Sequence, residues 1–243
     1  MSKSKFYEVI YEDKSILVLN KESGIPVVPT RDPNEKSLVK ILQGKYDQHI
    51  YVVHRIDRET SGIIVFAFNE EAHKNLNSQF YKREVEKHYL CISHGLGGSD
   101  WKTVQKKLSL DGNSHKMKID PLNGKDAVSH YKSLDVSKRY SRNIVKIETG
   151  RTHQVRIHMA SEALPLLGDS LYNRNPKLKL SYIKKKYVPA GKGKEERSLM
   201  RRTALHAHSL KFRHPITGME LEYEAAEPKD MRACWNQISK WDT

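Results

Sequence analysis

Apolar and polar residues alternate along the chain in short blocks that predict mostly β-strands. Residues 7–20 read as two strands around a polar turn at 12–14, and residues 63–68 form an unbroken apolar run typical of a strand buried on both faces. Further strands are predicted at residues 25–29, 50–53, 85–93, 125–136 and 142–150, and residues 204–225 read as a hairpin around Pro215, Thr217 and Gly218. Residues 101–122 give only weak signals.

Three segments have helical periodicity instead. Asn69 is a plausible N-cap, because two glutamates follow it and Ala72, Leu76 and Phe80 then repeat every four residues. Residues 37–42 predict a brief helix, and residues 151–163 a longer one in which His153 and Arg156 share a face. Hairpins mixed with a few helices indicate an α+β fold with a mixed, mostly antiparallel central sheet and flanking helices.

Composition narrows the class of protein further. The chain has 243 residues, with no internal repeat and no linker, which favours one domain over residues 1–243. No apolar stretch is long enough to span a bilayer and the start lacks a signal-peptide core, so we expect a cytoplasmic protein. The two cysteines, Cys91 and Cys234, are far apart in the sequence and are expected to be buried thiols.

The net charge of +14 favours a polyanionic partner, either nucleic acid or a membrane surface. Residues 174–202 contain eleven basic and two acidic residues, a local charge of +9, together with prolines and glycines. This composition predicts an irregular basic insertion, pinned to the domain by Tyr182, Ile183, Tyr187 and Val188. The insertion is either an arm that follows phosphates or only a solvated loop.

Residues 54–62 place one carboxylate, Asp57, between two arginines at the mouth of the buried strand. Neighbouring cations stabilise an ionised carboxylate, and such a group is a candidate nucleophile or base. A structural ion pair at a strand end remains the alternative, because such pairs also hold carboxylates ionised.

Six segments of the chain resemble a known family in the same order, and this resemblance favours a catalytic Asp57 over a structural ion pair. They are HRIDRETSGIIVFA, KHYLCISHG, GKDAVSHYKSL, GRTHQVRIHMA, LPLLGDSLY and LHAHSLKFRHPITG. With them the chain resembles the RluA-type pseudouridine synthases from about Tyr7 to Pro228. The resemblance implies the pseudouridine synthase fold with a catalytic cleft, and an isomerase that detaches uracil from ribose in RNA, rotates it and rejoins it through C5.

The resemblance also implies roles for three residues. Asp57 matches the family's catalytic carboxylate, which either attacks C1′ or removes the C2′ proton. Arg156 matches the arginine that pairs with this aspartate. Tyr89 matches the tyrosine that stacks on the target uracil and assists removal of the C5 proton. No cofactor is implied.

Contacts to RNA are expected from residues around these motifs. Arg55 matches a position that reaches into the gap left by a flipped base, although a phosphate contact or support of Asp57 is an equal alternative. His54 and Arg58 are expected beside it. Lys21 matches a basic position of the family's N-K-P-x-G turn, but Glu22 replaces the proline, so Lys21 is only a possible cleft residue.

The remaining expectations concern partners. The chain would be a catalytic domain without the small S4-like RNA-binding domain of longer members, so the insertion, with Lys184, Lys185 and Lys186, would hold rRNA or tRNA. With RNA as the partner, we expect a monomer without a membrane partner and without an obligate protein partner. The histidine spacings match no zinc motif, so no metal is expected. The alternative function is a non-catalytic RNA-binding protein or RNA chaperone that keeps the fold.

Overall fold

The computed structural model describes residues 4–32, 34–112, 116–188 and 195–243. The chain forms two compact units. The first contains Met1–Tyr89 and His206–Ala226, and the second contains Leu90–Leu205 and Glu227–Thr243. One catalytic domain over residues 1–243 stays a prediction.

Strands outnumber helices, as the alternating pattern predicts. The strands are β1 (Tyr7–Glu12), β2 (Ile16–Lys21), β3 (Tyr51–Val52), β4 (Ser61–Ala67), β5 (Glu86–His94), β6 (Lys102–Asp111), β7 (Lys116–Ile119), β8 (Lys125–Val136), β9 (Tyr140–Ile147), β10 (Leu205–Arg213) and β11 (Glu220–Glu224). The helices are α1 (Leu38–Gln43), α2 (Glu70–Tyr81), α3 (Gln154–Ser161), α4 (Leu180–Ile183) and α5 (Lys229–Trp241).

The sheet of the first unit is organised around β4. It runs in the order β1-β2-β4-β10, with β3 paired to β4 and β11 to β10. All neighbours are antiparallel except β4 and β10, which are parallel. All seven residues of β4 are buried, which confirms the prediction from its unbroken apolar run. The α+β class, with a mixed and mostly antiparallel sheet, is confirmed.

One glycine permits the parallel pairing of β4 and β10. Gly62 has φ of 114° and lies opposite Ala207. A Cβ at position 62 would overlap the backbone oxygen of Ala207, so only glycine allows this approach. Beside it, the hydroxyl of Ser61 lies 3.0 Å from Nδ1 of the buried His206. These contacts fix the start of β4, and the segment that contains Asp57 leads directly into it.

Helix α2 begins where its sequence predicts. The Asn69 side chain accepts a hydrogen bond from the Ala72 amide at 2.9 Å, and two glutamates occupy the first turn, where their charge favours the helix dipole. Ala72 and Leu76 are fully buried, and Phe80 packs against the core of the first unit.

Residues 25–29 do not form the predicted strand. Ile25 and Val27 are buried, so the apolar signal is real. However, the carbonyls of Pro26 and Val27 accept from the first amides of α1, at 2.9 and 3.0 Å, and proline has no amide for a ladder. The segment is instead an irregular stretch that is hydrogen-bonded to the start of α1.

In the second unit, β9, β8, β6 and β7 lie side by side in that order and all pair antiparallel. Strands β6 and β7 were not predicted, because only Val104 and Leu108 of β6 are buried and the apolar alternation is sparse. Helix α5 was not predicted either, although its residues Met231, Cys234, Trp235 and Ile238 are buried. Both cysteines are buried, as predicted.

The basic segment 174–202 is less irregular than predicted. It contains α4, whose Ile183 is buried at 5% exposure. Two of the predicted apolar anchors are wrong, because Tyr182 and Val188 are 54% and 81% exposed. Residues 189–194 of the predicted insertion lie outside the described residues.

Candidate active site

Asp57 lies in a tight turn immediately before β4. The Thr60 amide donates to the Asp57 carbonyl at 3.1 Å, which closes the turn, and the Asp57 side chain is half-buried. The turn is tied to the preceding loop as well. The Gly24 amide donates to the Arg58 carbonyl at 2.9 Å, and the Ser23 hydroxyl donates to the Glu59 carbonyl at 2.7 Å. The carboxylate is therefore presented on a braced segment.

Lys21 also connects this turn to the preceding loop. Its side chain has no exposed surface, and its ammonium donates to the carbonyls of Glu22, Ile25 and Arg58 at 2.9, 2.9 and 3.1 Å. Such a charge is tolerated in a core because each donor meets a carbonyl dipole. A contact from Lys21 to RNA stays a prediction, although the side chain has no exposed surface. In the structure Lys21 joins the 22–25 loop to the Asp57 turn.

His54 is also a positioning group. Its Nε2 accepts a hydrogen bond from the Val65 amide at 3.1 Å, and its ring stacks on Phe80 with centroids 4.7 Å apart. Burial, together with the positive charge of Lys87, lowers the pKa of His54 to about 3. The imidazole is therefore neutral at physiological pH and offers no positive charge to RNA. A role for His54 in binding RNA stays a prediction.

The two arginines that flank Asp57 differ in their surroundings. Arg58 is 48% exposed, and its guanidinium pairs with Glu35 at 2.7 Å. Arg55 is exposed. Arg55 thus has the accessibility that an RNA contact requires, and part of the charge of Arg58 is neutralised within the unit. Contacts from either residue to RNA stay predictions.

Tyr89 lies on β5 and packs against the core of the first unit. Burial raises the pKa of the Tyr89 phenol well above its usual value, and the negative charge of Asp57 raises it further. The first unit therefore brings these two predicted residues within electrostatic reach of each other, and the phenol stays neutral at physiological pH.

Lys87, two residues earlier on β5, was not singled out from the sequence. Its side chain is 8% exposed, and its ammonium lies 5.6 Å from the centroid of the Phe80 ring. Burial and the charge of Arg83 lower its pKa to about 8. Because side chains alternate along a strand, Lys87 and Tyr89 project to the same side of β5.

Arg156 lies in α3 of the second unit and is 6% exposed. Its Nε and Nη2 donate to the two carboxylate oxygens of Asp169 at 2.8 and 2.7 Å, a bidentate geometry, and Asp169 is fully buried. Asp169 also accepts from the amides of Leu171 and Tyr172, at 2.9 and 3.2 Å. A guanidinium has five N–H donors, and the pair of Arg156 with Asp169 uses two of them. The predicted pairing of Arg156 with Asp57 stays a prediction.

His153 does not share a helix face with Arg156, contrary to the sequence interpretation. It is the N-cap of α3 and has φ of 54°, so its backbone is left-handed and not helical. Its Nδ1 lies 2.9 Å from the Tyr172 hydroxyl, and the Tyr172 ring lies 5.2 Å from the Arg156 guanidinium. His153 therefore contacts the tyrosine whose ring lies beside Arg156.

Asp169 and Tyr172 are the residues that sequence reasoning missed in this cluster. Both lie in the segment LPLLGDSLY, which carried part of the resemblance without an assigned role. One signal in the sequence was available. Asp169 follows a glycine within an apolar run, which predicts that its carboxylate is buried, and a buried carboxylate requires a cationic partner.

The three lysines of the basic segment are not equivalent. The Lys184 ammonium lies 4.3 Å from the centroid of the Trp241 ring, a cation–π contact, whereas Lys185 and Lys186 are exposed. Lys186 also has a left-handed backbone with φ of 57°. Lys184 thus stabilises the packing of its own unit, and RNA binding by the three lysines stays a prediction.

Within the parts of the chain that the structure describes, no cluster of three or more His, Cys, Asp or Glu side chains could bind a metal ion. In the same described ranges no helix has the length and apolar character needed to cross a membrane.

Comparison with known proteins identifies the family. Residues 15–161 match the family model described as RNA pseudouridylate synthase. The "Ribosomal large subunit pseudouridine synthase D" of Vibrio parahaemolyticus is 33% identical over 96% of this chain and 71% of that protein. The protein of the same name from Vibrio cholerae is 35% identical over 92% of this chain and 68% of that protein.

A solved structure titled "Human RNA Pseudouridylate Synthase Domain Containing 4" shares the fold, with a TM-score of 0.71 and 24% identity over 95% of this chain and 92% of that one. The expected pseudouridine synthase fold is therefore confirmed. The range matched by the family model, residues 15–161, includes Asp57, Tyr89 and Arg156. The chain belongs to the RNA pseudouridylate synthase family and is an isomerase that acts on RNA.

Proposed function

We propose that this enzyme converts a uridine of large-subunit ribosomal RNA to pseudouridine, with Asp57, Tyr89 and Arg156 as the residues that act on the base. The observation that carries the proposal is the braced turn that presents Asp57 next to the neutral phenol of Tyr89. The choice of ribosomal RNA rests on the names of the two Vibrio relatives.

The reaction is an isomerisation, so no atom is gained or lost overall. The bond between C1′ and N1 breaks, a bond between C1′ and C5 forms, the C5 proton leaves and N1 gains a proton. An ionised Asp57 can start this sequence in two ways, as a nucleophile at C1′ or as a base at C2′. Both ways require a carboxylate held in one position, and the contacts from Lys21, Ser23 and Gly24 to the turn supply that rigidity.

Tyr89 can serve this chemistry with its ring and with its hydroxyl. The ring offers a face on which the detached uracil can stack while it rotates, and base–aromatic stacking contributes about 1–3 kcal/mol. The raised pKa means that the hydroxyl carries its proton at neutral pH. Tyr89 can therefore take the C5 proton only if it passes its own proton on, and the nearby carboxylate of Asp57 is the acceptor that we propose.

Arg156 is proposed to be the counter-charge of the Asp57 carboxylate. Its pair with the buried Asp169 fixes the orientation of the guanidinium through two of its five N–H groups. The Tyr172 ring, 5.2 Å away, restricts it further. An arginine clamped in this way keeps a fixed orientation, which is the property required of a counter-charge for catalysis.

Binding of RNA is proposed to involve exposed cations. Arg55 beside the Asp57 turn and Lys185 and Lys186 after α4 are accessible. A monomer without an obligate protein partner, working in the cytoplasm, remains our expectation for an enzyme of this size that acts on RNA.

The test is to delete the gene, map pseudouridines across rRNA and tRNA, and complement with the wild type and with Asp57→Asn. Loss of a site in large-subunit RNA, restored by the wild type alone, is the expected result. Asn keeps the shape of Asp and removes the charge, so RNA affinity should persist. A missing site only in tRNA would refute the ribosomal substrate, and full restoration by Asp57→Asn would refute the role of the carboxylate and favour a non-catalytic RNA binder.

A further inference from the structure

A cavity in the second unit has none of the proposed catalytic residues in its lining, although its residues Gly168 and Ser170 flank Asp169. Its volume is about 410 Å³, and its walls come from residues 168–179 and 195–201. This volume lies in the range of small-molecule sites, about 300–1,000 Å³.

The two walls of the cavity are joined by a continuous set of hydrogen bonds. The Leu199 amide donates to the Leu178 carbonyl at 2.7 Å, and the Leu178 amide donates to the Ser198 hydroxyl at 3.1 Å. At the other end, the Gly168 amide donates to the Pro176 carbonyl at 2.8 Å. The cavity is therefore shaped by the fold and is not a gap between unconnected surface loops.

Positive charge dominates the lining. Four basic side chains and two acidic ones face the cavity, and both acidic side chains contact other residues of the protein. Glu196 accepts from the amide and hydroxyl of Ser181, at 2.9 and 2.6 Å, and Glu195 lies 3.8 Å from Lys179. Among the described residues, Lys177, Arg197 and Arg201 take part in no ion pair, so three cations around one cavity are available to an anion.

The inner lining is apolar. Pro176 and Met200 belong to it, and Met200 is buried at 1% exposure. A rim of arginines and a lysine around an apolar floor matches a nucleotide, whose phosphates are anionic and whose base has an apolar face.

We propose that this cavity binds a nucleotide of the RNA substrate other than the target uridine, with Lys177, Arg197 and Arg201 contacting its phosphates. This inference rests on the proposed function only in taking RNA as the substrate. A second anchoring point on the strand would fix its register and would raise affinity without entering the chemistry.

The test compares two charge-matched double variants in RNA binding. Arg197→Ala/Arg201→Ala should bind a substrate RNA fragment about tenfold more weakly and lower the slope of log K against log salt by about 0.7 for each phosphate that is no longer neutralised. Lys229→Ala/Arg232→Ala removes the same charge from exposed positions of α5 and should change neither value. Equal losses of affinity in both pairs would show a diffuse charge effect and overturn the proposal.

A third variant separates the cavity from its charged rim. Ser170 lines the cavity and is exposed, so Ser170→Trp fills the space without changing charge. It should weaken RNA binding like the arginine pair, and wild-type affinity of a folded Ser170→Trp protein would refute the cavity. The arginine pair should raise KM and leave kcat unchanged. A wild-type enzyme that binds RNA but forms no pseudouridine would instead contradict only the proposed function.

Discussion

Replacement of Arg156 is expected to damage stability and catalysis together, and the structure shows how to separate the two effects. Arg156→Met keeps the length of the side chain and removes the charge. Among the described residues, the amides of Leu171 and Tyr172 are then the donors left to the fully buried carboxylate of Asp169. Breaking a buried pair on one side leaves an uncompensated charge, which typically costs about 3–5 kcal/mol.

The size of the effect on melting follows from the length of the chain. A protein of about 150–250 residues loses about 2–4 °C of Tm for each kcal/mol. We therefore expect Arg156→Met to lower Tm by about 6–20 °C. The double variant Arg156→Met/Asp169→Asn removes both charges, and the Asn oxygen can still accept from the Leu171 and Tyr172 amides. It should recover most of the stability, since neutral replacements of both partners are often nearly neutral.

Activity decides between a structural and a catalytic role of Arg156. The assay is release of tritium from RNA labelled at uridine C5, measured beside a thermal melt of each variant. The stabilised double variant should remain at least about 100-fold slower than wild type, because a preorganised donor is typically worth about 10²–10³ in rate. A double variant that melts like wild type and also reacts like wild type would show that Arg156 only supports the fold.

Three further predictions concern the first unit. Tyr89→Phe keeps the stacking ring and should slow single-turnover tritium release about 100-fold at unchanged RNA affinity, whereas a rate within about twofold would exclude the hydroxyl. Gly62→Ala should lower the free energy of unfolding in urea by about 3 kcal/mol or more, because its Cβ would meet Ala207; wild-type stability would refute that approach. For His54 the folded pKa, about 3, lies below the unfolded 6.5, so the unfolded state binds more protons between these values and stability should fall on acidification. His54→Gln keeps an acceptor for Val65 and should flatten this dependence in urea melts at about pH 7, 5 and 4, while an unchanged profile would contradict the assignment.

The elements that sequence analysis predicted well are those whose signal is local. The cap at Asn69 and the four-residue spacing after it define α2, and the apolar run after Gly62 defines β4. The elements that it missed or misplaced depend on partners distant in sequence. Residues 25–29 have the composition of a strand, but their carbonyls are taken by the start of α1, and β6 has too few buried residues to show a period.

The sequence by itself determined the α+β class, the ordered motifs and therefore the family. Apolar periodicity and the order of motifs depend only on the order of residues along the chain. Only the tertiary structure decided what Lys21 and His54 do. In the sequence both are polar residues near Asp57. In the structure backbone carbonyls surround the Lys21 ammonium, and His54 accepts from a backbone amide. The same holds for the buried partner of Arg156, since a pair between an arginine and a carboxylate depends on burial and distance that no linear pattern encodes.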